Sequence, residues 1–248
     1  MTTPSPEALW INVSPHLQYF DRPLLRCLSQ SLPIAQWQYV QTDDEGSSFD
    51  EALTLLHQHL CHHDRPLHLL GHGLSGVLGL VYARFYPERV RSLTLLAVAA
   101  QPAITWHAHY YVQRHLLPWS QSYLLAQTVR SLFGPHLPTP ANLLVNALEQ
   151  DLATAPSFHS LLKLEHLPQG GIAAPLLVCS SKTDTVVHPP LAQAWEPWCK
   201  PTDRLWECPV GRHFFHYFCS RLVAQQILEF MRSPTSTAPV AAPQLAPN

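Results

Sequence analysis

The chain has 248 residues, of which 46% are hydrophobic, and this length and composition suit one domain with one large core. Its 15 basic and 17 acidic residues give a formal net charge of −2 without a block of either sign. This balance excludes an electrostatic footprint for nucleic acid or anionic lipid, so the expected partner is a small apolar molecule or another protein.

The cysteines and the N-terminal stretch bear on location. The six cysteines are scattered without CxxC pairs, which favours reduced thiols. The first ten residues lack the basic and apolar regions of a secretory signal, and nowhere do 18 apolar residues follow one another. The sequence therefore predicts a cytoplasmic protein without a membrane span, and no cofactor is expected.

Short apolar runs suited to buried strands alternate with helical patterns. The predicted strands are Leu9–Val13, Gln36–Val40, Pro66–Leu70, Ser92–Val98, Leu176–Cys179 and Arg204–Cys208. Between the second and third strands, Ser48 and Glu51 have the spacing of a capping box. Apolar residues then recur at helical intervals, at Phe49, Leu53, Leu56 and Leu60. This alternation predicts an α/β fold, with a mostly parallel sheet covered by helices on both faces.

From about 101 to 172 the alternation stops and only helical patterns remain. One helix is expected to end at Gly134, after apolar residues at Leu125, Val129, Leu132 and Phe133. We interpret the segment as an inserted helical cap. Its large apolar residues could line an apolar pocket, but most of them are expected to bury the cap against the sheet instead: Trp106, Tyr110, Tyr111, Leu116, Leu117, Trp119 and Tyr123.

The domain is expected to span 1–232. The last stretch, 233–248, is rich in Pro, Ala and Ser and has no periodicity. Such a segment cannot bury enough apolar surface to offset the entropy of ordering it, so a disordered tail is predicted.

Glycine is concentrated at one place in the chain. Four of the nine glycines fall within nine residues, directly after the predicted strand Pro66–Leu70: they are Gly71, Gly73, Gly76 and Gly79. In the strand–turn–helix motif G-x-S-x-G, small residues flank a nucleophile because the turn is strained and the helix approaches the strand closely. The stretch 71–76 reads GHGLSG here.

This stretch resembles the nucleophile elbow of the α/β-hydrolase family, which is often of the GHSxGG kind. The resemblance continues at Tyr86–Val90, which reads YPERV and leads into the next predicted strand, as in the family. Counting back about fourteen residues from Pro87, the usual interval in the family, reaches Gly73. The resemblance therefore implies that Gly73 occupies the nucleophile position, where it offers no side chain.

A shifted register would make Ser75 the nucleophile instead. The small position that follows would then be Val77, whose β-branched side chain suits the tight packing poorly. Ser75 is therefore the less favoured alternative.

The resemblance also implies an acid and a base. The stretch Ala174–Val187 is similar to the family's penultimate strand and following loop, which makes Asp184 the acid that orients an imidazole. The stretch Glu207–Phe214 resembles the last strand and histidine loop, which makes His213 the base. The chain order of nucleophile, acid and histidine agrees with that of the family.

The chain departs from the family after the first strand. The family usually has His-Gly and a further residue whose N–H completes an oxyanion hole, whereas this chain reads Val13-Ser14-Pro15-His16. Pro15 has no N–H and its φ is fixed. The N–H groups of Leu74 and His16 are the expected donor pair.

The missing side chain decides the functional hypothesis. Acylation at Gly73 is impossible, and loss of a triad nucleophile lowers kcat by about 10⁶-fold. The favoured hypothesis is a non-catalytic pseudohydrolase that binds a ligand or a partner protein. One alternative is a hydrolase of small ester or acyl substrates by a non-standard route, in which His213 and Asp184 activate water, or Ser14 or Ser75 attacks. Another is a non-hydrolytic enzyme with His213 as general base.

A histidine-rich stretch, His57–Asp64, ends the helix before the third strand. His59 and His63 are four residues apart and could share a metal ion. Histidine near a helix C-terminus is also favoured by the helix dipole, and this structural interpretation is preferred. No metal site is therefore predicted here, and His107 and His109 in the cap are interpreted in the same way.

Overall fold

The computed structural model describes residues 5–40, 48–156, 161 and 163–233. The strands are β1 (Ala8–Asn12), β2 (Ile34–Gln38), β3 (Leu67–His72), β4 (Val90–Leu96), β5 (Leu176–Ser181) and β6 (Arg204–Cys208). The α-helices are α1 (Arg22–Ser29), α2 (Phe49–Cys61), α3 (Gly73–Phe85), α4 (Trp106–Leu116), α5 (Gln121–Phe133), α6 (Ala141–Thr154), α7 (Pro189–Gln193), α8 (Phe215–Phe218) and α9 (Ser220–Arg232). Short 3₁₀ helices occupy Pro15–Phe20, Pro87–Arg89, Lys163–His166 and Glu196–Trp198. Across these ranges no helix has the length and apolar character needed to cross a membrane.

The six strands form one sheet in the order β2-β1-β3-β4-β5-β6, and every neighbouring pair is parallel. Parallel neighbours need crossover connections, which helices supply here, for example α1 between β1 and β2 and α3 between β3 and β4. The predicted α/β class with a mostly parallel sheet is confirmed.

Side chains of the sheet alternate between two apolar cores. Leu9 and Ile11 of β1 belong to the core that contains residues of α2 and α3. Trp10, between them, points to the opposite face and packs in the core with α1 and α9. Both faces of the sheet are therefore covered, as a parallel sheet requires.

Each predicted strand overlaps an observed one, and the bounds differ by at most two residues. The difference matters at β3, which was predicted to end at Leu70. The strand instead continues through Gly71 to His72, which pair with Leu95 and Leu96 of β4. A glycine inside the ladder is tolerated here because α3 approaches the strand at that point.

Helix α2 begins where it was predicted, with Ser48 as its N-cap residue, but the capping box does not form. The Ser48 side chain makes no capping hydrogen bond. Its N–H, which Glu51 would accept in a capping box, lies 3.4 Å from the hydroxyl of Tyr39. The tyrosine thus replaces the glutamate as the partner of the cap.

Helices α4, α5 and α6 lie between β4 and β5, where the cap was predicted. Helix α5 ends at Phe133 and is followed by Gly134, whose φ of +80° is a conformation that glycine adopts readily. The cap helices share a third core with Leu17 and Phe20 of the first 3₁₀ helix and with Phe214. The cap therefore packs on the loops that follow β1 and β6.

The large apolar residues of the cap behave in two ways. Trp106 and Tyr110 are buried, as expected. The expectation is wrong for Leu116, Trp119 and Tyr123, which are 69%, 44% and 48% exposed. These three residues flank the connection between α4 and α5, and the rings of Trp119 and Tyr123 pack edge to face at 5.0 Å.

The predicted domain boundary is not tested by the structure and stays a prediction. Helix α9 ends at Arg232, and of the proposed tail 233–248 only Ser233 lies within the described residues.

Candidate functional site

The turn from β3 into α3 explains the concentration of glycines. A Cβ on Gly71 would lie 2.7 Å from the backbone N of Gly76, and a Cβ on Gly76 would lie 2.8 Å from the backbone O of Gly71. Neither position can hold a side chain unless backbone moves. Gly73, at the first position of α3, has a φ of +51°, a left-handed conformation that costs an L-residue about 1–3 kcal/mol.

Asp184 and His213 are brought together from two different loops. Asp184 follows β5, His213 follows β6, and Nδ1 of His213 lies 2.9 Å from Oδ2 of Asp184. The side chains are 0% and 1% exposed, respectively. The other carboxylate oxygen of Asp184 accepts the N–H of Val186 at 2.8 Å. This carboxylate is therefore held from both sides, and the imidazole has a fixed orientation.

Opposing effects act on the pKa of Asp184. Burial raises it, while attraction to His213 and hydrogen bonds from His213, Val186 and Val187 lower it more, so that the pKa is below its ordinary value. Asp184 is thus a carboxylate at neutral pH. In the neutral imidazole the proton lies on Nδ1 and is donated to Asp184, which leaves Nε2 as an acceptor.

The free nitrogen of His213 faces residue 73. A Cβ built on Gly73 would lie 3.7 Å from Nε2 of His213, an ordinary van der Waals contact. Nε2 is buried and has no hydrogen-bond partner among the described residues. An unsatisfied buried acceptor costs about 1–3 kcal/mol. The structure therefore brings together Gly73, Asp184 and His213, the three residues that the resemblance to the hydrolase family singled out.

Ser75 also lines the cavity beside Gly73, but its oxygen takes part in a structural hydrogen bond. Its side chain is buried, and Oγ accepts the N–H of Val13 at 3.0 Å. This hydrogen bond joins the first turn of α3 to the loop after β1. Ser75 is thus engaged as a structural acceptor.

Of the two residues whose N–H groups were expected to stabilise an oxyanion, one lies at the site. Leu74 lines a small cavity beside Gly73, and so does Ser14. His16 is exposed and does not line this cavity, because the 3₁₀ helix that begins at Pro15 turns it outward. The structure therefore does not bring His16 to the cavity.

The cavity beside Gly73 is small and mixed in character. Its lining includes the apolar residues Leu17, Leu74, Trp106 and Phe214 and the polar residues Asp21 and His72. The centre of a water-sized sphere can occupy about 20 Å³ of it, which is room for about one water molecule. As it stands, the cavity accepts a group of hydroxyl or methyl size.

A second buried histidine–aspartate pair lies beside the first, and sequence reasoning missed it. Nε2 of His216 lies 3.1 Å from Oδ1 of Asp21, and Nε1 of Trp10 donates to Oδ2 of Asp21 at 3.0 Å. The spacing His213-x-x-His216 was a weak signal for the histidine. Asp21, which precedes α1, had no signal of its own.

His72 connects the two pairs. Its Nε2 donates to the carbonyl oxygen of His213 at 3.0 Å, and its ring centroid lies 4.3 Å from that of His216. Burial lowers the pKa of His72 well below its ordinary value, and repulsion from His216 and His213 adds to the effect. A neutral His72 therefore holds the backbone of the His213 loop.

The cap carries a third such pair. Nε2 of His107 lies 2.9 Å from Oδ2 of Asp151, and both side chains are buried. The pair joins α4 to α6, and His107 follows Trp106, which lines the cavity. His109, on the same helix, is exposed.

The histidines at the end of α2 make ordinary packing contacts. The ring of His57 stacks on Tyr86 at 3.8 Å, and the rings of His59 and His63 are 5.3 Å apart. Throughout the described ranges, no three His, Cys, Asp or Glu side chains are grouped so as to hold a metal ion.

The fold and this site define a class of protein. Residues 48–218, more than half of the chain, match the family model of the alpha/beta hydrolase fold. The chain therefore belongs to the α/β-hydrolase fold family. It is 50% identical over 224 residues to an uncharacterised protein of Nostoc sp. strain PCC 7120, which covers 90% of each chain. It is 44% identical to an uncharacterised protein of Synechocystis sp. strain PCC 6803, over 93% of this chain and 92% of that one.

The solved structures agree on the fold. A hydrolase from Oleispira antarctica superimposes with a TM-score of 0.71 at 14% identity, over 94% of this chain and 93% of that chain. At this identity the likeness shows the fold alone.

Proposed function

We propose that the protein is a non-catalytic pseudohydrolase that binds a small, largely apolar ligand at the former catalytic centre. The observation that carries the proposal is Gly73. It stands in the tight turn between β3 and α3, a Cβ built on it would lie 3.7 Å from Nε2 of His213, and it has no side chain. Gly73 therefore occupies the nucleophile position in this proposal.

The chemistry of the site argues against acyl transfer. A covalent nucleophile must lie within hydrogen-bond reach of its base, and glycine supplies none. The nearby Ser75 directs its oxygen to the N–H of Val13. Loss of a triad nucleophile lowers kcat by about 10⁶-fold, so ordinary serine-hydrolase turnover is not expected.

The presence of the Asp184–His213 pair favours the binding of a ligand at this site. A buried acceptor without a partner is costly, and a ligand that satisfies Nε2 of His213 recovers part of this cost. Leu17, Trp106 and Phe214 add apolar surface. A small molecule therefore suits the site better than a flat protein surface does, and a partner protein is the less favoured occupant.

A second function is supported by the same nitrogen. Nε2 of His213 is oriented by Asp184 and is free to accept a proton, so the residue could act as general base in a non-hydrolytic enzyme or could activate water. This function needs no side chain at Gly73. We rank it second because the absence of a side chain at Gly73 favours binding, whereas it is merely compatible with base catalysis.

We propose a cellular location from the state of the cysteine thiols. All six cysteines are free, including the exposed Cys61, and disulfides are rare in reducing compartments. The proposed location is the cytoplasm.

The test compares the purified wild type with His213→Ala. Turnover of p-nitrophenyl butyrate, a cyanohydrin and a β-diketone is measured for both, and native mass spectrometry detects any small molecule that stays bound. The proposal expects equal, background turnover and a bound molecule that is lost in His213→Ala. Turnover of any of these substrates that depends on His213 would replace the binding function with an enzymatic one.

A further inference from the structure

The space above Gly73 is open and is faced by one polar atom. Apart from its chain neighbours and the local backbone of its helix, the only atom of the described chain within 4 Å of the Cβ position is Nε2 of His213. His213 is 1% exposed, and this nitrogen has no partner among the described residues. A buried acceptor is thus aimed at an empty position.

A backbone donor lies in the same turn of the chain. Leu74 is in the first turn of α3, a helix of 13 residues, and N–H groups of the first turn have no acceptor inside the helix. Leu74 also lines the cavity beside Gly73. A group at this position therefore faces the acceptor Nε2 of His213, and the N–H of the next residue, Leu74, is a backbone donor in the same turn.

Few ligand groups satisfy both partners at once. A hydroxyl donates one hydrogen bond and accepts others, whereas an ether or carbonyl oxygen has no hydrogen to give to Nε2. Water also satisfies both, but Leu17, Trp106 and Phe214 offer apolar surface that a carbon body can cover. The site therefore suits a hydroxyl carried on an apolar molecule.

We propose that the position above Gly73 binds the hydroxyl group of an apolar alcohol, which donates to Nε2 of His213 and accepts from the N–H of Leu74. The ligand thus brings the hydroxyl that the chain lacks. This inference rests on the proposed function and specifies its ligand class.

The test uses benzyl alcohol, with benzyl methyl ether and toluene as matched probes. The full chain is labelled with ¹⁵N-histidine, and the Nε2 resonance of His213 is assigned by its loss in His213→Gln. We expect benzyl alcohol to shift this resonance and to bind about tenfold more tightly than the ether or toluene, since one net hydrogen bond is worth about that factor. The ether and toluene should leave the resonance in place.

Two variants at residue 73 localise the effect. Gly73→Ser supplies its own hydroxyl, so its Nε2 resonance should already be shifted without alcohol, and the tenfold preference for alcohol should disappear. Gly73→Ala fills the same space with a methyl group and should also lose the preference, while its Nε2 resonance stays unshifted. If the serine variant does not fold, the alanine variant and the three probes still decide the matter.

The outcomes separate this inference from the proposed function. Equal binding of the three probes, an unchanged Nε2 resonance, or an alcohol preference retained in Gly73→Ala would overturn the hydroxyl site. The pseudohydrolase proposal would survive these results. It fails on a different result, namely His213-dependent turnover by the wild type.

Discussion

At the scale of single residues, the turn before α3 is fixed by contacts that leave no room for a side chain. The nearest atoms to a Cβ on Gly71 are backbone atoms of Ser75 and Gly76, which cannot move without distorting α3. The nearest atoms to a Cβ on Gly79 are side-chain carbons of Leu93 and Ile11, at 3.1 and 3.3 Å. The two glycines therefore differ in how much a substitution costs.

We predict that Gly71→Ala lowers the free energy of unfolding by about 3 kcal/mol, at the upper end of overpacking effects. Gly79→Ala, the matched control in the helix, should cost less because terminal methyl groups can adjust. Urea unfolding followed by circular dichroism measures both. Equal losses would contradict the close approach of α3 to β3.

Replacing Ser75 distinguishes a structural role of this residue from a catalytic one. Ser75→Ala should lower the free energy of unfolding by about 1–3 kcal/mol, because the buried N–H of Val13 loses its acceptor. Ser29→Ala, an exposed position with a local hydrogen bond, should stay within about 0.5 kcal/mol of the wild type. Chemical denaturation distinguishes them. A neutral Ser75→Ala that also abolished a measurable esterase activity would make Ser75 the nucleophile.

At the scale of elements, a buried histidine joins β3 to β4. His68 is 3% exposed, and its Nδ1 lies 2.6 Å from Oγ of Ser92, its partner in the parallel register. Burial, and to a lesser degree the charge of Arg91, lowers the pKa of His68 from 6.5 to about 4. The histidine is therefore neutral inside the folded sheet.

The lowered pKa of His68 makes the stability of the folded protein depend on pH. Between pH 6.5 and 4 the unfolded chain binds a proton at His68 that the folded chain does not, so stability is full above pH 6.5 and falls as the pH drops to 4. The share due to His68 is about 3 kcal/mol. We expect His68→Gln to remove this share of the slope in urea titrations at pH 7.5, 6, 5 and 4. The exposed His62→Gln should keep the wild-type slope, and parallel curves for wild type and His68→Gln would contradict the assignment.

Elements were predictable where local pattern decides them. The six strands follow from short apolar runs, and the turn before α3 follows from its glycines, since Gly71 and Gly76 are sterically required. The exposure of His16 was not predictable, because it depends on a 3₁₀ helix that begins at Pro15. The capping of α2 failed for a similar reason, since the competing hydroxyl of Tyr39 comes from outside the helix.

At the scale of the whole molecule, sequence order located one buried pair and missed another. Asp184 and His213 could be assigned because each follows a strand in a known succession of elements. Asp21 and His216 are 195 residues apart and meet only after β1 and the C-terminal helices pack on the same face of the sheet. An isolated aspartate before a helix has the pattern of an ordinary N-cap residue. Nothing in the sequence therefore indicates that Asp21 is buried against Trp10.

The central claim of the proposed function is that the Asp184–His213 pair is positioned to serve a nucleophile at residue 73 and that Gly73 does not supply one. Fluorophosphonate labelling of the wild type, Gly73→Ser, and Gly73→Ser with His213→Ala tests it most directly. Gly73→Ala is the control, since it carries the same backbone strain at positive φ without a hydroxyl. We predict labelling of the folded Gly73→Ser variant alone. His213-dependent labelling of the wild type, or a folded Gly73→Ser that stays unlabelled, would contradict the account.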